Sequence, residues 1–274
     1  MSDIYNLKEN MDIFQSIEVY FKEMNAIGSL SSTSIRNRRY ELNRFAAFCK
    51  THKIELVHEI HKNLIISYLN SLKVAKSTRS HIMYILSGFL DYLVREELLI
   101  DNYAALIEKP KVYLPKTDYL NFEELERLYQ NEAGHASRKT VDRNLLLFSL
   151  FTDICLRVSE AIQLKMDDVR LASGEIWVTR KRGKVDRIPI SGEIVDQFLN
   201  WYEMRVEYKN EDLDWVFLST HGKPLTSRQV HAVVSSALRR AGLIKRKQGP
   251  HLLRHSGASL KAQAGENLIM IQYL

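Results

Sequence analysis

Glu175-Ile176-Trp177-Val178-Thr179, running through Arg180-Lys181-Arg182-Gly183-Lys184-Val185-Asp186 into Arg187-Ile188-Pro189-Ile190, breaks the helical spacing that dominates the rest of this chain. Its first and last segments place apolar residues at every second position, the period of a half-buried strand. Gly183 supplies backbone freedom for the turn between them, so the stretch reads as a β-hairpin with a cationic tip. Helical patterns flank it. Upstream, Asn121 caps a helix beginning at Phe122, and further helices cover about Arg138 to Thr152 and about Arg157 to Leu164. Downstream, Ser191 begins an amphipathic helix to about Tyr208, and Trp215 to Ser219 is a short strand. Thr226 or Ser227 then caps a helix ending before Gly242, and the tail from Pro250 is helical again. The fold class that follows is mainly α with a small antiparallel β-sheet.

From Asp12 to about Ala105 the pattern is helical throughout, with turns at Gly28 to Ser34, Thr51 to Glu55 and Lys73 to Ser77. In the second helix Ile35, Leu42, Phe45 and Cys49 share one face, while Arg36, Arg39 and Asn43 share another, so one side packs and the other is basic. Ser77 is the expected N-cap of a helix to about Arg95, with Ile82, Ile85, Leu86, Phe89 and Leu93 as its buried stripe. Lys76, Thr78 and Arg79 surround that positive helix end, a natural phosphate contact, although basic first turns are also common on solvated helices. Ile107-Glu108-Lys109-Pro110-Lys111-Val112-Tyr113-Leu114-Pro115-Lys116-Thr117-Asp118 has two prolines and no periodicity. It reads as a linker, giving a helical domain over 1–108, a linker over 109–117 and a second domain over 118–274.

With 274 residues, 45% of them hydrophobic, the chain is long enough for two ordinary domains. Lys and Arg outnumber Asp and Glu by 39 to 33, a net charge of +6, which favours polyanionic partners through counterion release. The two cysteines, Cys49 and Cys155, each sit in an apolar helical pattern, so neither a disulfide framework nor a cysteine metal site is expected and a reducing cytoplasm fits. The polar N-terminus lacks the features of a signal peptide. The longest apolar stretch, around Leu145 to Phe151, falls well short of the roughly 18 residues of a membrane span. No membrane partner is expected.

Three features carry chemistry. Arg157, flanked by Leu156 and Val158 at a helix start, is expected to be partly buried and to need Glu160, one turn along, as the partner that orients it. Taken alone, a structural ion pair is the commoner explanation of such a pattern. At the hairpin tip Lys181, Arg182 and Lys184 sit between strands able to aim one lysine at a nucleic-acid backbone. A lysine held there can bind phosphate and protonate an oxyanion leaving group. In Pro250-His251-Leu252-Leu253-Arg254-His255-Ser256, His251 and Arg254 share a helix face. His251 and His255 are spaced like a metal pair, but Leu252 stands where the zinc-protease helix needs Glu and Arg254 adjoins the second histidine, so no metal is assigned. Two arginines, a lysine and a histidine suit stabilisation of a pentavalent phosphate. Neither a carboxylate cluster for two metals nor a G-x-x-x-x-G-K-S/T loop is evident, and no cofactor is expected.

In the order and spacing of these motifs the chain closely resembles the tyrosine recombinases, the phage-integrase and Xer-like family, along nearly its whole length. Leu156 to Glu160 resembles the first-arginine box, Lys181 the catalytic lysine of the β-hairpin, and His251 to Ser256 the H-x-x-R box. Gly265 through Ile271-Gln272-Tyr273-Leu274 resembles the segment leading into the second histidine and the nucleophilic tyrosine. The N-terminal helices resemble the family's SAM-like core-binding domain. The resemblance implies a two-domain C-shaped clamp, with a helical bundle and an α+β catalytic domain closing on a duplex DNA recombination site, and assembly as a homo-oligomer, a tetramer on paired sites. It implies cleavage through a covalent 3′-phosphotyrosyl intermediate with a free 5′-hydroxyl. Arg157 and Arg254 would stabilise the phosphate oxygens, Lys181 would act as general acid, His251 would assist proton transfer or bind phosphate, and Glu160 would support Arg157. Arg36, Arg39, Lys76, Thr78, Arg79, Arg182 and Lys184 would contact DNA.

Three departures stand against the family pattern. Cys155 occupies the place of a glycine two residues before the first arginine. Lys184 competes with Lys181 for the lysine role. The chain reaches Leu274 before the second histidine and the tyrosine appear, and Tyr273, in an amphipathic run with Leu268 and Ile271, reads as structural. The expectation is a C-terminally incomplete catalytic domain that binds DNA without cleaving it. The alternative is a non-catalytic DNA-binding protein derived from a recombinase. Integration, excision, cointegrate resolution as in a transposon-borne resolvase, and chromosome dimer resolution all fit the resemblance, and the small size of the chain favours a simple Xer-like or resolvase-type system.

Overall fold

The computed structural model describes residues 10–28, 30–108, 118–135, 138–180, 183–207 and 214–265. The chain divides into two compact units, Met1–Pro115 and Lys116–Leu274. The expected linker at 109–117, Lys181, Arg182 and the Tyr273 segment lie outside the described residues.

The first unit is helical: α1 (Ile13–Ile27), α2 (Ser32–Thr51), α3 (Lys62–Ser71) and α4 (Lys76–Arg95). Asp12 and Ser31 cap α1 and α2 by accepting the backbone N–H of Gln15 (3.1 Å) and Ser34 (3.3 Å). Leu42, Phe45 and Cys49 of α2 are buried, with Ile35 packed at the margin. They meet the α4 stripe of Ile82, Ile85, Leu86, Phe89 and Leu93 in one core. Aromatic edges lock it, Tyr20 against Phe89 at 5.5 Å and Phe45 against Tyr68 at 5.2 Å. The cap of α4 is Ala75 rather than Ser77, which lies exposed in the first turn. Tertiary packing decides this: Leu72 is buried just before the helix, and Arg79 reaches back to donate to the Leu72 carbonyl at 3.2 Å.

In the second unit α5 (Phe122–Ala133) is followed by α6 (Arg138–Thr152), which packs against α5, α8 (Gly192–Arg205) and α10 (Pro250–Gln263). Helices α7 (Val158–Gln163) and α9 (Ser227–Arg240) complete the helical part. Phe148, Phe151, Phe198, Trp201 and Phe217 fill the core between them. Two capping boxes match the sequence pattern, Asn121 with Glu124 and Thr226 with Gln229. Buried Glu132 accepts from Asn144 Nδ2 (2.7 Å) and from Arg240, tying α5 to α6 and α9. Among the described residues no helix is long and apolar enough to cross a membrane.

The hairpin forms as β2 (Glu175–Thr179) and β3 (Val185–Pro189), with Trp177 opposite Arg187, and its inner residues Ile176, Val178 and Ile188 are buried. A two-residue strand β1 (Val169–Arg170) adds to it, giving an antiparallel sheet of order β1-β2-β3. The strand expected at Trp215 to Ser219 does not form; only isolated bridges join Lys165 to Trp215 and Leu218 to Pro224. Side chains occupy the carbonyls a partner strand would need. Arg205 donates to Trp215 (2.8 Å), Trp201 to Val216 (2.8 Å) and Arg143 to Leu218 (2.9 Å).

Candidate active site

Between α6 and α7 the chain turns through Cys155, whose φ of 53° lies in the left-handed region. A residue with a Cβ adopts that conformation at a cost of about 1–2 kcal/mol, and glycine adopts it freely. This backbone requirement fits the glycine that the resemblance implies at this position. It also corrects the expectation that Cys155 is helical: the thiol is buried beside the turn and donates to the Thr152 carbonyl at 3.3 Å.

Arg157 then caps α7. Its backbone N–H donates to Glu160 Oε2 and its guanidinium to Glu160 Oε1, both at 2.7 Å. Burial falls on the carboxylate rather than on the arginine: Glu160 is 6% exposed and Arg157 53%. Arg180, 10% exposed at the end of β2, donates to Glu160 Oε2 at 2.8 Å and to Asp186 Oδ2 at 3.1 Å. Sequence reading missed this residue's role. The turn closes on it, because its N–H donates to the Lys184 carbonyl (2.6 Å) and its carbonyl accepts from Gly183 (3.1 Å), where φ is 77°. Arg180 therefore ties the hairpin tip to the first-arginine box. Lys184 pairs with Asp186 at 3.1 Å, while Lys181 and Arg182 are outside the described residues.

The second box starts at Gly249, with Pro250 at the first position of α10. Leu252 and Leu253 are buried, leaving His251 and Arg254 on the other face. Helix α10 lies so close to α6 that a Cβ on Gly257 would overlap the Thr152 carbonyl. Ser256, wholly buried, accepts the Leu120 N–H at 2.8 Å and pins the start of the unit to this helix. This close approach brings the Arg254 guanidinium to the Cys155 carbonyl, two residues before Arg157.

The two boxes thus form one cluster. Burial, followed by the charge of Arg157, holds Arg254 below its ordinary value, with Glu160 opposing and Arg180 adding to the effect. An arginine nonetheless stays charged. Burial alone would raise Glu160, but the Arg157 N–H and the Arg157 and Arg180 guanidinium groups outweigh it and hold the carboxyl below its ordinary range. Three guanidinium groups, Arg157, Arg180 and Arg254, face two carboxylates, Glu160 and Asp186. A surplus of positive charge in a partly desolvated site suits a phosphate.

In the first unit Arg36, Lys76 and Thr78 are exposed. Arg39 is paired with Glu18 and stacked over Phe21, its guanidinium 4.7 Å from the ring centre. Arg79 is held by the Leu72 carbonyl, as above.

The sequence pattern of the phage integrase family matches residues 118–274. The chain belongs to the phage integrase family. Its relatives include the tyrosine recombinase XerC of Halalkalibacterium halodurans, 31% identical over 253 residues that cover 89% of this chain and 82% of XerC. The tyrosine recombinase XerD of Staphylococcus haemolyticus is 30% identical over 263 residues, covering 93% of this chain and 88% of XerD. Among solved structures, XerH site-specific recombinase in a pre-cleavage complex with difH substrate superposes with a TM-score of 0.70 at 25% identity, over 88% of this chain and 72% of that one. A lambda integrase dimer bound to a COC′ core site has the same fold, with a TM-score of 0.75 at 18% identity over 96% and 94% of the two chains.

Proposed function

We propose that this phage integrase family member is a site-specific DNA recombinase acting in the cytoplasm as a homo-oligomer, a tetramer on paired duplex sites. The observation that carries the reading is the meeting of Arg254 with the turn before Arg157, from positions 99 residues apart, around a buried carboxylate. A protein that only binds DNA needs dispersed cations, not guanidinium groups oriented on a buried acid.

In the proposed reaction a tyrosine hydroxyl attacks the scissile phosphorus, the phosphorus–5′-oxygen bond breaks, and a 3′-phosphotyrosyl bond replaces it. Arg157 and Arg254 stabilise the non-bridging oxygens as negative charge builds on them. Lys181 gives the proton that the departing 5′ oxygen needs, and His251 binds the phosphate or moves the tyrosine's proton. Rejoining reverses these steps on a new 5′-hydroxyl, so bond energy is conserved and no nucleotide is consumed. Glu160 keeps Arg157 in place, and Arg180 keeps the hairpin against both. DNA contacts from Arg36, Arg39, Lys76, Thr78, Arg79, Arg182 and Lys184 are proposed to position the site.

The test begins by selecting bound sequences from random or genomic DNA. Two copies of the selected site are then placed on a plasmid in cells making the chain joined after Leu274 to the nucleophile segment of a relative such as XerC, and loss of the intervening segment is scored. Excision abolished by Arg254→Ala supports the reading; failure to select any site above non-specific DNA overturns it. We also propose that Tyr273 is structural and that residues 1–274 bind a site without cleaving it. A covalent adduct on a nicked substrate that disappears with Tyr273→Phe would show the opposite.

A further inference from the structure

His231, on α9, belongs to none of the motifs, yet its ring touches the second box twice. It stands edge-on to the His251 ring, with centroids 6.4 Å apart and planes inclined by 60°. Gly249, two residues before His251, lies so close that a Cβ there would come within 2.8 Å of His231 Nδ1. The φ of Gly249 is 136°, so the position excludes a side chain on both steric and conformational grounds. One ring therefore supports both the backbone that starts α10 and the imidazole that α10 presents.

We propose that His231 is a positioning residue for His251, setting where the His251 imidazole stands beside Arg254 and placing a second ionisable ring against it. The inference rests on the reading of His251 as part of the phosphate site. The groups acting on His251 are His231 from α9, His255 and Arg254 from α10 itself, and Lys247 from the loop before α10. Partial burial comes first and these charges follow, and together they hold the His251 imidazole below its ordinary 6.5. Arg254 keeps its charge, and Lys247, His255 and His231 act on His251 in the same direction. The neutral form of His251 is thus favoured, a form able to accept a proton as well as donate a hydrogen bond. Among the described residues no three His, Cys, Asp or Glu side chains are gathered so as to hold a metal ion, so the histidine contact is read as steric and electrostatic.

Two unit charges at the ring separation of 6.4 Å, in a water-like dielectric, shift each other by about half a pH unit. The experiment is a histidine-selective NMR titration of the full chain from pH 4 to 9, in wild type, His231→Phe and His231→Ala, with the His251 signal assigned from His251→Gln. His231→Phe keeps a ring and removes the charge, and is expected to raise the His251 midpoint by about half a unit. His231→Ala removes both; it should raise the midpoint similarly and also cut the response of the His251 signal to added inorganic phosphate at least threefold, a response that His231→Phe retains. Midpoints unchanged to within a tenth of a unit in both variants, with an unchanged phosphate response, overturn the proposal. If wild-type His251 ignores phosphate altogether, the phosphate-site reading is what fails, and the midpoints still decide whether His231 governs His251.

Discussion

Glu160→Gln is the most informative single change, because it keeps the shape of the side chain and removes only its charge. The carboxylate accepts from the Arg157 N–H, the Arg157 guanidinium and the Arg180 guanidinium, at 2.7, 2.7 and 2.8 Å. An amide oxygen in the place of Oε2 retains the first and third bonds, while the amide nitrogen faces the Arg157 guanidinium with a donor against a donor. Removing one partner of a buried ion pair costs about 3–5 kcal/mol. Arg180 keeps Asp186, and Arg157 is half-exposed and contributes no more than about 0.5 kcal/mol, so the cost falls at or just below the bottom of that range, about 2–3 kcal/mol. With a urea slope of roughly 2 kcal/mol per molar, the unfolding midpoint should fall by about 1 M. Trp177, Trp201 and Trp215 are the three tryptophans of the chain and all lie in the second unit, so tryptophan fluorescence reads that unit alone. The pH dependence has a defined sign. Glu160 is held below its ordinary 4.5 in the folded protein, so its contribution is complete above 4.5 and is lost as pH falls through the lower, folded value. The gap between wild type and variant should therefore be full at pH 7 and narrow as the pH drops below 4.5. A variant within about 0.5 kcal/mol of wild type, or a gap indifferent to pH between 7 and 3, would refute the role given to this carboxylate.

Gly257→Ala should displace α10 from α6 and cost more than about 3 kcal/mol, seen as lost soluble yield or a collapsed fluorescence midpoint, because the methyl meets the Thr152 backbone rather than a flexible side chain. Cys155→Gly should be within about 1 kcal/mol of wild type, relief of left-handed strain offsetting lost burial, whereas Cys155→Val should cost about 2–3 kcal/mol; equal effects in urea titrations would contradict the strain argument. In the plasmid assay Arg254→Ala should slow excision about a hundredfold or more, about 3 kcal/mol, while DNA affinity by gel shift changes little; equal losses would make Arg254 an ordinary phosphate clamp. DNA affinity should fall steeply and linearly in log–log form between 50 and 200 mM salt, roughly one unit of slope per phosphate neutralised, and a flat response would argue against a backbone-directed interface.

Much of the architecture was legible in the residues alone. Alternation at Ile176, Val178 and Ile188 marked the hairpin, and Asn121 and the Thr226–Ser227 pair marked helix starts, because capping and pleating are satisfied within a few residues of chain. Local rules failed where distant groups intervened. Ser77 lost the cap of α4 to Ala75 once Leu72 was buried, and residues 215–219 lost their strand to side chains of Arg205, Trp201 and Arg143. The two-residue strand β1 carries no periodicity to detect and exists only by pairing with β2.

For the site, the sequence by itself determined which chemical groups are present, the Arg157–Glu160 and His251–Arg254 pairs, because spacings of three residues put them on shared helical turns. That Cys155 stands in the place of a glycine was what the resemblance to the family implied, not something the residues alone determined. Only the tertiary structure decided that the arginines meet, since that depends on α10 riding directly on α6 at Gly257. Only the tertiary structure made Arg180 a partner of Glu160 and set His231 against His251 and Gly249. Those contacts join residues from separate helices and the sheet. Their energy comes from desolvation and close approach, and neither leaves a mark in the order of residues along the chain.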